Sequence, residues 1–339
     1  MLLKQLSEAF GVSGAEDEVR NIIRDKLLEF DKIRTDSMGN LFVEKESMFT
    51  NPKIMLCAHM DEVGIMIKAI DKNGMLKFNT VGGIDERVLV SKTVVIGSKR
   101  VRGVIGAKAI HLQEPKDRKI PIKLKKLYID IGAKDKDEAE KQVEIGEYAT
   151  FDTKYDYIGD DIVTGKAFDD RIGCYVILDL LKRQYNIPVV GVFTVQEEVG
   201  LRGAATAAYS VNPDISIVLE TTFASDVPET KEDYYCTTLG KGPAITFMDK
   251  TYIADKKLIK RVVYIAESNN IPYQYKMTVS GGTDGGRIHT TKEGVPTIIL
   301  SVPCRYIHSP VSMANRNDIE NTIKLAHAII LDLQERGLD

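Results

Sequence analysis

Several short apolar runs in this chain end abruptly in residues able to bind cations or move protons. Ile54-Met55-Leu56-Cys57-Ala58 gives way to His59, Asp61 and Glu62, and Val189 to Val195 runs into Gln196-Glu197-Glu198. Ile215 to Leu219 runs into Glu220, and Thr297 to Val302 leads through Pro303 to His308. Asp169 and Asp170 stand just ahead of a stretch of helical periodicity that begins at Arg171. Imidazoles and carboxylates serve as ligands for divalent metals and as general acids and bases. Collecting so many carboxylates is costly without counter-charge, because each raises the pKa of its neighbours. Two divalent cations would balance two neutral histidines, three liganding carboxylates and one hydroxide. The cysteines Cys57, Cys174, Cys236 and Cys304 are scattered with no C-x-x-C pair. They read as reduced, buried thiols, so any metal is left to His and carboxylate.

Taken singly, each residue has an ordinary use. His59 could be a hydrogen-bonded structural histidine, and Asp169 or Asp170 a helix N-cap. Glu197-Glu198 could be a solvated loop, and Glu220 a salt-bridge partner at a strand end. Their joint occurrence at strand exits is what points to a site, because ligands in open α/β sheets bind outside the carboxyl ends of the strands. His111, His289 and His327 read as structural.

The elements that must position these groups alternate. The apolar runs lack strand-like alternation, which suits strands covered on both faces. Between them lie helical stretches at Arg171 to Arg183 and Lys256 to Ser268, with a last helix over Ile319 to Glu335. Ser13-Gly14-Ala15-Glu16 has capping-box spacing ahead of a stripe of Val19, Ile22, Ile23, Leu27 and Phe30. The pattern predicts an α/β/α sandwich around a mostly parallel central sheet. Residues 66–158 break the rhythm with short β-like runs at Ile65 to Ile70, Leu76 to Phe78, Val88 to Val90, Thr93 to Ile96 and Val101 to Ile105. Asn73-Gly74 is a hairpin signal, because both residues tolerate positive φ. The expected organisation is a discontinuous catalytic domain, 1–65 and 159–339, carrying an inserted β-rich, barrel-like domain at 66–158.

Composition narrows the class. The chain has 339 residues, with 46 Lys and Arg against 49 Asp and Glu and a formal net charge of −3, which lacks the basic footprint of a nucleic-acid protein. Hydrophobic residues make up 43% and charged residues 28%, as in ordinary globular chains. No apolar run approaches the roughly eighteen residues a membrane helix needs. The opening Met1-Leu2-Leu3-Lys4 meets charge too soon for a secretory signal. A cytoplasmic protein without membrane or nucleic-acid partners is expected.

Five motifs, in order, carry a specific resemblance. They are Ala58-His59-Met60-Asp61-Glu62-Val63-Gly64, Ala167-Phe168-Asp169-Asp170-Arg171, Thr194-Val195-Gln196-Glu197-Glu198-Val199-Gly200-Leu201-Arg202-Gly203, Gly281-Gly282-Thr283-Asp284 and Arg305-Tyr306-Ile307-His308-Ser309. With these the sequence resembles the M42 family of co-catalytic metalloaminopeptidases, the glutamyl and tetrahedral aminopeptidase group. The resemblance implies that Asp169 bridges two metal ions, zinc or cobalt. His59 and Glu220 would complete one site, and Glu198 and His308 the other. It implies Glu197 as the general base that activates the bridging water, and Asp61 as the hydrogen-bond partner that orients His59. It further implies peptide substrates with a free N-terminus, dimerisation through the β-rich insertion and assembly of dimers into a tetrahedral dodecamer. Glu220-Thr221-Thr222 departs from the Asp-Val-Thr of many members, keeping the ligand class on a longer arm. Arg287, Lys241 and Arg305 are cations that could face an acidic substrate side chain, with a surface or structural role the more ordinary reading. Acidic, aliphatic and basic preferences all occur among the proteins it resembles, and an acidic N-terminal residue is expected to be accepted.

Rival chemistries fit poorly. No G-x-S-x-G elbow, P-loop or H-E-x-x-H helix is present. A metal-independent, endoglucanase-like glycoside hydrolase could use the carboxylates as an acid and base pair. It leaves His59 and His308 without work, in a chain with no tryptophan for sugar stacking. A catalytically silent peptide-binding scaffold would have no need for Glu197.

Overall fold

A computed structural model describes residues 1–30, 32–45 and 47–338. In chain order the first elements are α1 (Leu2–Glu8), α2 (Asp17–Asp25), β1 (Lys32–Thr35), β2 (Leu41–Glu44) and β3 (Ile54–His59). Next come β4 (Gly64–Ile70), β5 (Leu76–Val81), β6 (Thr93–Ile96), β7 (Val101–Gly106), β8 (Tyr128–Asp130), α3 (Lys136–Gln142) and β9 (Tyr148–Phe151). The chain continues through β10 (Asp156–Ile158), β11 (Ile162–Gly165), α4 (Phe168–Leu181), β12 (Val189–Thr194), α5 (Arg202–Val211) and β13 (Ile215–Phe223). It ends with β14 (Ala244–Ile245), α6 (Lys256–Ser268), β15 (Gln274–Tyr275), α7 (Gly285–Ile288), β16 (Thr297–Arg305), β17 (Ser312–Asn315) and α8 (Arg316–Arg336).

The large sheet runs β1-β2-β12-β3-β13-β16-β17-β11-β10, with β14 and β15 added beside β16. Its central strands β12, β3, β13 and β16 are parallel, and its flanks are antiparallel. These four strands are buried almost throughout, as the unbroken apolar runs require. Alternate residues feed two cores. Ile54, Leu56 and Ala58 of β3 pack with α1, α2, α4, α6 and α8, while Met55 and Cys57 pack with α5 and α7. A Cβ on Gly173 would stand 2.2 Å from the Leu219 carbonyl oxygen, so only glycine lets α4 lie this close to β13. Among the described residues, no helix is long and apolar enough to cross a membrane.

The strands β4-β5-β8-β7-β6-β9 close a separate barrel with its own core of Ile65, Ile67, Phe78, Val94, Ile96 and Ile129, among others. Several sequence expectations are corrected here. Asp156–Ile158, expected in the insertion, pairs with β11 in the large sheet. Val88 ends a 3₁₀ turn rather than opening a strand. The hairpin after β4 turns through Gly74 at φ 79°, and Asn73 keeps an ordinary negative φ. The capping box ahead of α2 does not form, because the Ser13 hydroxyl donates to Asp61 Oδ2 at 2.6 Å instead. Glu16 turns its Oε1 to the amides of Gly14 and Gln196.

Candidate active site

The carboxyl ends of the parallel strands and the loops beyond them share one cleft of about 590 Å³, bordered by His59, Asp169, Glu197, Glu198, Glu220 and His308. His59 is the last residue of β3 and is buried. Glu220 lies inside β13 rather than at its exit, since Thr221, Thr222 and Phe223 continue the ladder against Val302, Pro303 and Cys304 of β16. Its longer arm curls back, with Oε1 accepting from the Thr221 amide at 3.1 Å. The loops that bring in the rest use left-handed backbone at non-glycine residues. Ala167 precedes Phe168-Asp169, Gln196 precedes Glu197, and Tyr306 and His308 are themselves left-handed. Such residues cost about 1–2 kcal/mol each and concentrate where a site over-determines them.

Asp169 is the centre of the arrangement. Its Oδ1 lies 3.2 Å from His59 Nε2, and its Oδ2 lies 3.2 Å from His308 Nε2. His59 Nε2 is also 3.5 Å from Glu220 Oε1, and His308 Nε2 is 3.3 Å from Glu198 Oε1. Ligand atoms of His59, Asp169 and Glu198 lie within 4.8 Å of one another, as do those of His59, Glu197 and Glu220. Asp170 joins Asp169 and Glu220 in a third such group. Its oxygens are occupied, however, by the Gly173 amide in the first turns of α4 and by the His59 amide.

The supports of the two imidazoles differ. His59 Nδ1 meets the main-chain carbonyl of Asp61 at 3.0 Å, and the Asp61 carboxylate stays 3.5 Å away. The main-chain carbonyl is the nearer partner of His59, with the Asp61 carboxylate at the edge of hydrogen-bond range. The Asp61 carboxylate also cradles the next loop, accepting from the amides of Glu197 at 2.9 Å and Glu198 at 3.1 Å. Burial works against that charge, but bonds from His59, Ser13 and Glu197 outweigh it and hold the Asp61 carboxyl below its usual range. His308 Nδ1 meets the Gly83 carbonyl at 3.1 Å, in the loop that follows barrel strand β5.

Glu62 does not join the cluster. It turns into a buried network with Lys166 at 2.7 Å and Arg171 at 3.4 Å, and its Oε2 accepts from Thr150 of β9. Sequence reasoning missed Ser13, Gly83 and this network. Only the buried setting of Lys166 and Arg171 distinguishes them from surface cations, and a single sequence carries no sign of it. Lys241 and Arg287 are exposed, and Arg305 is committed to Asp226 by a two-pronged bond at 2.7 and 2.8 Å. None of these three borders the cleft.

The protein groups alone form an acid cluster short of positive charge. Burial pushes the Glu197 carboxyl well up, Glu198 to about 8 and Glu220 to about 7. Burial opposes charge on His308, but the bond to Asp169 overrides it and raises the imidazole to about 9. Asp169 is buried as well, yet the bonds from His308 and His59 hold its carboxyl far below the usual range. Glu198 Oε1 is buried and receives no hydrogen bond. Two imidazole nitrogens, carboxylate oxygens and an orphaned anionic oxygen suit divalent metal ions with N/O ligands.

Comparison with known proteins agrees with this geometry. A TET aminopeptidase from a marine-sediment Thaumarchaeota archaeon superimposes with a TM-score of 0.93 and 38% identity, over 97% of this chain and 94% of that one. The TET1 peptidase of Pyrococcus horikoshii, described as assembling into a tetrahedron or a large octahedral shell, gives a TM-score of 0.87 and 35% identity, over 97% and 98%. The lysyl aminopeptidase of Pyrococcus furiosus is 32% identical over 98% of this chain and 97% of its own length. The sequence model of the M42 glutamyl aminopeptidases matches residues 39–325, and the chain belongs to that family of metal-dependent aminopeptidases.

Proposed function

We propose that this aminopeptidase works with two divalent ions, zinc or cobalt, one held by His59, Asp169 and Glu220 and the other by His308, Asp169 and Glu198. The observation that carries this reading is Asp169, which offers one oxygen to each imidazole at the same 3.2 Å. Divalent ions so placed supply Lewis acidity to the scissile carbonyl and lower the pKa of water. Glu197 borders the cleft beside them, and its carboxylate is not engaged by the hydrogen bonds that tie down Asp61 and Glu62. It takes the proton from the attacking water and returns it to the leaving amine. Asp61 acts one step back, holding the Glu197-Glu198 turn by its two amides. A substrate's free α-amino group binds among the carboxylates, which confines cleavage to N-termini.

The same reading extends to assembly and compartment. Ile110, Leu112 and Ile120 expose 65%, 60% and 55% of their surface on a barrel loop, supporting dimerisation through that insertion and growth to a tetrahedral dodecamer. The four unpaired, buried cysteines suit the reducing cytoplasm. The glycosidase reading would leave both imidazoles on Asp169 without work.

The test is hydrolysis of aminoacyl p-nitroanilides before and after chelation, with zinc or cobalt returned. Release that chelation abolishes and metal restores is expected, and no release after metal loading refutes the reading. Glu197→Gln should keep its metal and lose about 10²–10⁴-fold in kcat. Near-normal turnover would remove Glu197 from the role of base.

A further inference from the structure

Family membership leaves open which N-terminal residue the cleft prefers. Among the described residues, the cleft holds a lysine with no ion-pair partner. Lys276 borders it and is only 5% exposed, a rare setting for lysine, which is almost never buried unless paired. Among the described residues its ammonium has no ion-pair partner, in contrast to the buried Lys166, whose partner is Glu62 at 2.7 Å.

The segment that runs out of β15 through Lys276 is inverted relative to folding needs. Tyr275, Met277 and Val279 expose 39%, 64% and 48% of their surface, while the lysine between them turns inward. Folding alone would place these the other way round. The inversion is held firmly. The Lys276 amide donates to Ile245 and the Met277 amide to Cys236. Gln274 clamps the strand from behind, with Oε1 accepting from the Thr238 amide and Nε2 donating to the carbonyls of Thr238 and Gly242. A cation fixed in this way is pre-organised for a ligand.

Its position sets what that ligand is. Glu220 pairs with Ser301, Ser301 with Ala244 and Ala244 with Gln274, so three strand spacings, about 14 Å of main chain, separate the Glu220 rung from β15, which ends just ahead of Lys276. That spacing sets the backbone of the lysine across the cleft from the proposed metal ligands. It suits a substrate residue whose α-amino end lies at the ligands while its side chain reaches across the cleft. Thr251, Ser280 and Thr283 add polar groups along the same wall.

We propose that Lys276 is a specificity-determining residue that receives the side-chain carboxylate of an N-terminal Glu or Asp, an inference that rests on the aminopeptidase reading above. The experiment compares kcat/KM for Glu-, Leu- and Lys-p-nitroanilide in the wild type, Lys276→Met, Lys276→Arg and Lys276→Glu, all metal-loaded. Wild type should favour Glu over Leu. Lys276→Met should lower that ratio about 10- to 100-fold, the range expected when a charged hydrogen bond is lost. Lys276→Arg should restore much of it, and Lys276→Glu should turn preference toward Lys. A parallel fall for all three substrates would make Lys276 structural and overturn the proposal. So would a ratio that does not move while hydrolysis persists, an outcome that leaves the aminopeptidase reading standing. If the wild type hydrolyses no p-nitroanilide, it is the aminopeptidase reading that fails. Leu-Gly and Leu-Gly-amide form the last arm. If only the discrimination between these two responds to Lys276→Met, the lysine holds a C-terminal carboxylate, and the side-chain assignment is overturned.

Discussion

The two imidazoles that meet on Asp169 are built by different parts of the molecule. His59 ends a central strand, has a side chain 2% exposed, and is held by groups of the sandwich itself. His308 stands on a left-handed residue beyond β16, is 38% exposed, and leans on a carbonyl from the barrel loop between β5 and β6. One half of the candidate site is therefore as rigid as the sheet, and the other is as well placed as the contact between barrel and sandwich. Rigid elements position groups more accurately than loops do.

Asp169→Asn should have the largest effect, because both halves share that side chain. It should abolish stable retention of both ions, measured as metal content after dialysis, and reduce hydrolysis to that of the chelated wild type. Retention of two ions per subunit would remove Asp169 from the bridge. The single imidazole variants then separate the halves. His308→Ala should keep one ion and nearly the wild-type thermal midpoint. His59→Ala should lose its ion and also about 2 kcal/mol or more of stability by denaturant titration, since it opens a cavity and strands buried partners. Equal metal loss and equal destabilisation would break the comparison.

Changes one step further out should have smaller effects. Asp61→Asn presents an amide donor to backbone amides that now find acceptors, and should lower kcat/KM about 10- to 100-fold. Gly82→Ala acts on the other half. Gly82 is left-handed at φ 78°, and its Cβ would meet Val63 at 2.8 Å and Glu198 at 3.3 Å. The strain of about 1–2 kcal/mol should fall on the loop under His308 and weaken the ion there alone, seen as one of two steps in a metal titration.

The smallest effect concerns the fold rather than the site and sharpens any pH study of the two halves. Burial, reinforced by Arg183, lowers the His327 imidazole below its ordinary value, and its Nδ1 meets the Tyr185 hydroxyl at 3.0 Å. The unfolded histidine therefore binds a proton before the folded one does. Stability should fall as pH drops from about 6.5 toward the lowered folded value. Urea midpoints between pH 7.5 and 5.5 should show this loss in the wild type and less of it in His327→Gln. An equal loss in both would remove His327 as its source.

Much of this arrangement is legible in the sequence where one physical signal dominates. The helix read as Lys256 to Ser268 has those bounds in the structure, because an amphipathic stripe and the Asp255 cap agree. Strand ends are read short where polarity and pairing disagree. Thr221 and Thr222 look like an exit, but β16 supplies the ladder that extends β13 through Phe223. His59, Asp169, Glu197, Glu198, Glu220 and His308 border one cleft, whereas Asp61 turns to the amides behind it and Glu62 turns to Lys166 and Arg171, more than one hundred positions away in sequence. The Ser13 box is lost to Asp61, a competitor no local pattern reveals. Lys276 is hidden for the opposite reason. A lysine flanked by Tyr275 and Met277 reads as a solvated residue between buried ones, and the structure inverts that order.

The barrel grips the sandwich at two points that matter here, the Gly83 carbonyl under His308 and the Thr150 hydroxyl on Glu62. An insertion held in this way is not an exchangeable cassette. A chimera that borrows the barrel of a relative, in order to change how subunits meet, also imports that relative's carbonyl beneath one imidazole and its donor to a buried carboxylate. A change at either contact acts on the site as well as on the barrel. The inserted barrel and the chemistry of the sandwich are thereby linked through two hydrogen bonds.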